Sequence, residues 1–151
     1  MKKQLKTIIC LFLVSSITLC AQNKNPNSVL DFGVGLGPNY GAAGAKVLLG
    51  YRGSGVLFGY GALVNGSVIS IGGQYTHKFL FVNFSVVTIE GDIPWSVTNY
   101  SESVVGMLGG KINVGAKRRF FFDLAAGLAK ERYSEYLDFQ FGLGFNVRIG
   151  S

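Results

Sequence analysis

The chain has 151 residues, of which 48% are hydrophobic and 22 are glycine, whereas only three are proline. Lysine and arginine outnumber aspartate and glutamate by 14 to 8, which gives a formal net charge of +6. The basic side chains are scattered apart from residues 117–119, so the charge does not predict nucleic-acid binding. After residue 21 no apolar run has the length of a transmembrane helix, so this much apolar surface indicates β-strands.

The N-terminus has the pattern of a Sec signal peptide. Its basic segment contains Lys2, Lys3 and Lys6, and the apolar segment that follows covers residues 7–19. Leu19-Cys20-Ala21 then offers a small-residue cleavage site before Gln22. We therefore predict a signal peptide at residues 1–21 and a single domain at residues 22–151.

Both cysteines, Cys10 and Cys20, would leave with the signal peptide, and the domain would then contain no thiol. The alternative is that Cys20 becomes a lipidated N-terminal residue. Leu19 directly before it is a poor match to the small residue that lipoprotein signals usually carry.

The rest of the chain divides into eight segments in which apolar residues alternate with small or polar ones. This period of two is typical of strands with two unlike faces. In chain order the predicted strands lie at residues 30–37, 43–51, 56–64, 69–76, 80–86, 104–114, 120–129 and 137–149. Because each strand is joined to the next by a short connection, we predict an all-β, up-and-down antiparallel fold.

The last predicted strand shows the alternation most clearly. Residues 137–149 reach roughly 43 Å at ~3.3 Å per residue, far beyond a typical globular strand. Tilted by about 40°, that length covers the ~25 Å apolar band of an outer-membrane barrel. Eight is an even count and suffices to close a barrel, which leaves no unpaired strand edge in lipid.

The two faces of the strands predict which side points outward. One face carries Leu, Val, Ile and Phe, whereas the other is rich in glycine and alanine and has few charges. Small residues suit the crowded interior of a narrow barrel. A face with so few charges would be unusual as the outer surface of a soluble protein. We therefore predict a transmembrane barrel with its bulky face toward lipid; a soluble lipocalin-like barrel, with the apolar face inward, is the alternative.

The predicted connections also differ between the two ends of the barrel. On the side assigned to the periplasm they are short, at residues 52–55, 77–78 and 115–118. On the other side three of four are long, and these four lie at residues 37–44, 65–66, 90–103 and 130–135. Interfacial aromatic girdles are predicted from Tyr51, Tyr75 and Phe120 at one end and Tyr40, Trp95, Tyr100 and Tyr136 at the other.

With this pattern the chain resembles the small eight-stranded outer-membrane barrels of Gram-negative bacteria, the OmpA-like and OmpX-like group. Gln140, Gly142, Phe145 and Val147 fit the C-terminal assembly signal of that family, although the chain ends at Ser151 and not on an aromatic residue. The resemblance implies a location in the outer membrane, contact with its lipid and insertion by the barrel-assembly machinery.

Inward charges are predicted to form structural pairs. Folding the sixth and seventh strands together brings Lys111 opposite Asp123, and closing the eighth strand on the first brings Arg148 near Asp31. A low dielectric rewards such pairs and penalises a lone charge. The alternative is a charged constriction in a small-solute channel.

No motif in the sequence predicts a cofactor, a metal or catalysis. Period-two glycines such as Gly33, Gly35 and Gly37 lack the spacing and the helix of a nucleotide-binding loop. A lipid A-modifying barrel enzyme is a less favoured alternative, because the single histidine, His77, is predicted in a periplasmic turn. We expect a non-enzymatic envelope protein that acts structurally or through its outer loops, in which Trp95, Tyr100 and Tyr133 are candidate contact residues.

Overall fold

The computed structural model describes residues 28–63, 66–91, 100–115, 119–132 and 135–149. These residues form eight antiparallel strands in up-and-down order, closed into a barrel by pairing of the first strand with the last. The strands are β1 (Ser28–Gly37), β2 (Ala42–Tyr51), β3 (Ser54–Leu63), β4 (Gly66–His77), β5 (Leu80–Gly91), β6 (Tyr100–Val114), β7 (Phe120–Glu131) and β8 (Leu137–Ile149). The predicted all-β barrel and its strand count are confirmed. The predicted signal peptide at residues 1–21 lies outside the described residues.

The barrel has two ends, which we name by the path of the chain. The entry end is where β1 begins and where β2 turns into β3 and β4 into β5. The far end holds the connections from β1 to β2 and from β5 to β6. When the ladder partners are followed from β1 through all eight strands and back to β1, the position on β1 shifts by about ten residues. The strands must therefore tilt strongly relative to the barrel axis.

The alternation of residues decides which side chains face the interior. Along β5, Phe81, Asn83 and Ser85 are buried, whereas their neighbours Val82 and Phe84 are exposed. The same alternation follows β7 and most of β8. Most of the larger apolar side chains therefore point away from the barrel axis, as predicted. Phe81, Phe121, Leu57 and Met107 lie on the inward face, and Leu30, which belongs to the outward set, is also only 2% exposed.

Two strands extend further than the sequence predicts. Residues 90–103 were expected to be the longest irregular stretch, but β5 runs to Gly91 and β6 begins at Tyr100. Ladder pairing continues to Glu90 and Tyr100, because backbone hydrogen bonding does not require apolar side chains. Residues 92–99 lie outside the described part of the chain.

The β1–β2 connection is the largest departure from prediction. Residues 37–44 were expected to form an outer loop, with Tyr40 in an aromatic girdle. Instead Pro38–Tyr40 form a single 3₁₀ turn, here called the plug, in which all three residues are buried. The chain bends inward at Gly37 and out again at Gly41, whose positive φ angles of 106° and 63° are readily adopted by glycine.

Candidate functional site

The interior of the barrel is the candidate site, and small residues make room for its contents. A Cβ atom at Gly144 would overlap the phenol of Tyr40, and one at Gly59 would overlap the backbone of Asn39. Glycine at these two positions therefore allows the plug to lie against the barrel wall. Both belong to the alternating glycines that the sequence predicts as interior packing.

The first charged group in the lumen is centred on Asp123. Its carboxylate accepts a hydrogen bond from the Tyr40 hydroxyl and forms an ion pair with the ammonium of Lys46. The phenol oxygen also accepts a hydrogen bond from Asn146 Nδ2 at 3.1 Å. Lys46 lies 4.5 Å from the centre of the Tyr40 ring, within the range of a cation–π contact. All four side chains are buried, and their contacts with one another replace the hydrogen bonds to water that each loses on burial.

The second charged group is centred on Asp31, which is fully buried. Arg148 donates to it from Nε at 2.8 Å and from Nη2 at 3.1 Å, in the two-pronged geometry that guanidinium favours. Lys111 Nζ lies 3.3 Å from the same carboxylate. One carboxylate is thus shared by two cations.

The predicted charge pairs are found in part. Arg148 and Asp31 lie together, as the closure of β8 on β1 predicts. Lys111 and Asp123 are register partners, also as predicted, but the predicted ion pair between them is wrong. Asp123 pairs with Lys46 of β2 and Lys111 pairs with Asp31 of β1, because long side chains in a narrow tilted barrel reach across the lumen.

Sequence reasoning missed Lys46 and Tyr40. The signal for Lys46 was present, since the alternation in β2 places it on the same inward face as Leu48. An inward lysine requires a carboxylate, and the sequence analysis did not assign one. Tyr40 had no such signal, because it follows a proline in a segment that reads as a turn.

The wall formed by β4 and β5 carries polar groups of a different kind. Buried polar side-chain atoms of Ser70, Gln74, Asn83 and Ser85 have no hydrogen-bond partner within the described residues. Gln74 and Asn83 are register partners, so these groups lie side by side. Unpaired buried polar atoms of this kind have capacity to bind water or a solute.

Toward the far end the lumen becomes apolar. Val68, Val87, Val105, Met107 and Ala129 belong to one buried cluster, in which each is at most 6% exposed. The same cluster extends toward the entry end through Ala125 and Phe81. A cavity of about 280 Å³ beside it is lined mostly by apolar residues, including Pro38 and Ala42. The polar part of the lumen is therefore separated from the far end by a hydrophobic layer and the plug.

At the far end itself, β6 and β7 are joined by polar contacts. Ser101 Oγ donates to Glu131 at 2.6 Å, and Arg132 pairs with Glu102 at 2.8 Å. Of the candidate loop contact residues, Trp95 and Tyr133 lie outside the described residues. Tyr100 is the first residue of β6, and its side chain is likewise not described.

Groups for catalysis or metal binding are sparse in the described part of the chain. His77 is the last residue of β4 and is exposed at the entry end, and within the described ranges it makes no hydrogen bond to a serine or carboxylate. Among the same residues no group of three histidine, cysteine, aspartate or glutamate side chains is arranged to hold a metal ion. The lumen groups can bind and neutralise charge, but they do not form a nucleophile–base pair.

Comparison with known proteins adds no relative. No protein-family model matches the chain, and neither a curated protein nor a solved structure is significantly similar to it. In the part of the chain that the structure describes, no helix is long and apolar enough to cross a membrane.

Proposed function

We propose that this chain is an integral outer-membrane β-barrel protein, exported by a cleaved signal peptide at residues 1–21 and inserted by the barrel-assembly machinery. Its role is structural or is exerted through its outer loops, without catalysis. In this proposal the entry end faces the periplasm and the far end faces the outside. Outer-membrane lipid is then its principal partner.

The observation that carries the proposal is the exposure of the bulky apolar face. Phe84, Ile112, Phe139 and Phe141 are each more than 60% exposed, and similar side chains surround the barrel on every strand from β1 to β8. A soluble protein rarely leaves a contiguous apolar surface of this extent in water. Contact with acyl chains removes the free-energy penalty of exposing such a surface to water.

Two further features support a membrane location. The described strands have 10 to 15 residues, so even the shortest reaches the 9–11 residues that a tilted strand needs to cross a bilayer. Tyr51, Tyr75 and Phe120 are exposed near the entry end, and Tyr136 is exposed near the far end. Aromatic side chains in these positions are typical of the boundary between lipid and water.

The lumen supports a structural role over a channel. The plug, the two ion clusters and the apolar layer occupy the space through which a solute would pass. Planar-bilayer recordings with the purified protein should therefore show no stepwise conductance. Steady single-channel currents would favour the small-solute channel that the sequence left open.

The proposal is tested by placing a charge on the outer face. Phe84→Arg introduces a cation halfway along β5, where arginine at the bilayer midplane costs about 2–4 kcal/mol. We expect a loss of this size in the free energy of unfolding from lipid vesicles, measured by urea titration. The matched control is Leu80→Arg at the start of β5 near the entry end, for which we expect about 1 kcal/mol or less.

Equal losses for the two variants would contradict the proposed orientation, as would a wild-type protein that stays monomeric in water without detergent. Fractionation of cells gives an independent measurement. The chain should be found with outer-membrane vesicles and should be extracted only by detergent.

A further inference from the structure

The entry end of the lumen contains a cavity that the proposed function does not use. It has a volume of about 230 Å³ and lies beside β1, β2, β3, β4, β6 and β8. The polar side chains that line it are those of Tyr51, Ser54, Thr76, Lys78, Lys111, Asn113 and Arg148. Three of these seven are cations and none is an anion.

The charge of the lumen is unbalanced toward this cavity. Asp123 and Lys46 neutralise each other, but Asp31 alone faces both Lys111 and Arg148. One positive charge is thus left without a carboxylate among the described lumen residues, and Lys78 at the rim adds a second. An uncompensated charge in a buried site is costly, so an anion that entered the cavity would be strongly attracted.

Hydrogen-bond donors are also left over. The Lys111 ammonium has three N–H groups and makes one contact with Asp31, at 3.3 Å, near the upper limit for a hydrogen bond. Arg148 donates to Asp31 from Nε and Nη2, which leaves Nη1 without a partner among the described residues. The Thr76 hydroxyl accepts from Gln74 Nε2 at 3.0 Å, so its own proton remains available.

Aromatic rings hold the two cations in place. Lys111 Nζ lies 4.8 Å from the centre of the Phe121 ring, and Arg148 Cζ lies 5.4 Å from the centre of the same ring. Contacts of this kind restrict both side chains before any ligand arrives. The donors are therefore positioned in advance, which lowers the entropic cost of binding.

We propose that the entry-end cavity binds a phosphate group, held by Lys111 and Arg148 with Lys78 at its rim. A phosphate carries about −1.5 to −2 charges near neutral pH and has several strong acceptor oxygens, which matches the excess of two cations and the neutral donors. This inference rests on the lumen and its cavity and does not depend on the membrane location. The phosphate group belongs either to a small soluble molecule or to a phospholipid headgroup at the barrel rim.

The test is titration of the purified protein, in a non-ionic maltoside detergent, with inorganic phosphate. We expect saturable chemical-shift changes in NMR spectra at Lys111, Arg148 and Lys78. Lys111→Gln should weaken the affinity about tenfold or more, and Lys111→Arg should retain most of it. Lys111→Gln leaves two cations and two carboxylates in the lumen, so the variant should fold.

The matched control is Lys130→Gln, which removes an exposed cation near the far end and should leave the affinity unchanged. If Lys111→Gln fails to fold, Lys78→Gln at the turn after β4 replaces it, with a smaller expected loss of affinity. The absence of saturable shifts with any phosphate source, or equal loss in Lys111→Gln and Lys130→Gln, would overturn the proposal. Tighter binding of acetate than of phosphate would also overturn it.

The source of the phosphate is decided by a second arm with nanodiscs. Shifts that require phosphatidylglycerol in the nanodisc and are not produced by free phosphate would assign the headgroup as the ligand. Shifts with free phosphate in maltoside micelles, where no phospholipid is present, would assign a soluble ligand.

Discussion

The two halves of the lumen are filled by side chains of different chemistry. The half toward the entry end combines the ion clusters around Asp31 and Asp123 with large buried apolar side chains such as Phe81 and Phe121, whereas the half toward the far end contains mainly valine, methionine and alanine. Apolar side chains can fill the same space in several arrangements of similar free energy. Paired charges favour one arrangement strongly, because a misplaced partner leaves a buried charge without its counter-charge.

One alternating pattern thus specifies the two faces of the barrel wall in different ways. On the outward side the alternation is uniform, and bulky apolar or aromatic side chains are exposed on every strand. On the inward side the polar residues differ in their partners, since Asp31 is shared by two cations whereas Ser70 and Asn83 have polar atoms without a partner among the described residues. Changes there should therefore have unequal effects. Substitutions in the two halves should therefore differ in their effect on the free energy of unfolding.

Removing the shared carboxylate should do the most damage. Asp31→Asn leaves both Lys111 and Arg148 in the lumen without a carboxylate, and breaking a buried pair by removing one partner costs about 3–5 kcal/mol. We expect a loss of this size in the free energy of unfolding, measured by urea titration in detergent. Asp138→Asn on β8, where the side chain is exposed, should change it by less than about 0.5 kcal/mol. Similar effects of the two variants would mean that the ion cluster does not stabilise the barrel.

The apolar half should respond to lost volume and not to lost charge. Met107 is 2% exposed, and Met107→Ala should leave a cavity that costs about 2–3 kcal/mol. Met107→Leu nearly preserves the volume and should cost less than about 1.5 kcal/mol. The same unfolding titration measures both. If the alanine and leucine variants are equally stable, this layer is not closely packed.

The smallest expected effect concerns the plug. Tyr40→Phe removes the hydroxyl that donates to Asp123 but keeps the aromatic ring and leaves the ion pair between Asp123 and Lys46 in place. A lost hydrogen bond to a charged group costs about 1.5–3 kcal/mol, and the remaining Lys46 contact favours the lower value. Combining this variant with Asp123→Asn should give less than the sum of the two effects, measured by a double-mutant cycle. Additive effects would indicate that the phenol and the carboxylate are not coupled.

The fold was predictable from the sequence because it depends on local patterns. Alternation gives the strands and their faces, and short connections give the antiparallel order. The contents of the lumen were less predictable, since they depend on contacts across the barrel. Lys111 and Asp123 could be placed as ladder neighbours, but the choice of Asp31 as the partner of Lys111 follows from strand tilt and lumen width.

Two further differences have local causes. The extension of β5 to Gly91 and the start of β6 at Tyr100 rest on backbone pairing, which side-chain patterns do not report. The plug was misread because proline, asparagine and glycine indicate a turn without indicating whether it points into or out of the barrel.

Tyr40 belongs to the connection between the first two strands, yet its hydrogen-bond partners Asp123 and Asn146 lie 83 and 106 residues later, in the last two. The hydroxyl therefore finds no partner until the C-terminal hairpin arrives. Closure of the barrel and formation of the Tyr40 hydrogen bonds therefore coincide late in assembly. A barrel still open at the β1–β8 seam lacks the seam pairing and these hydrogen bonds.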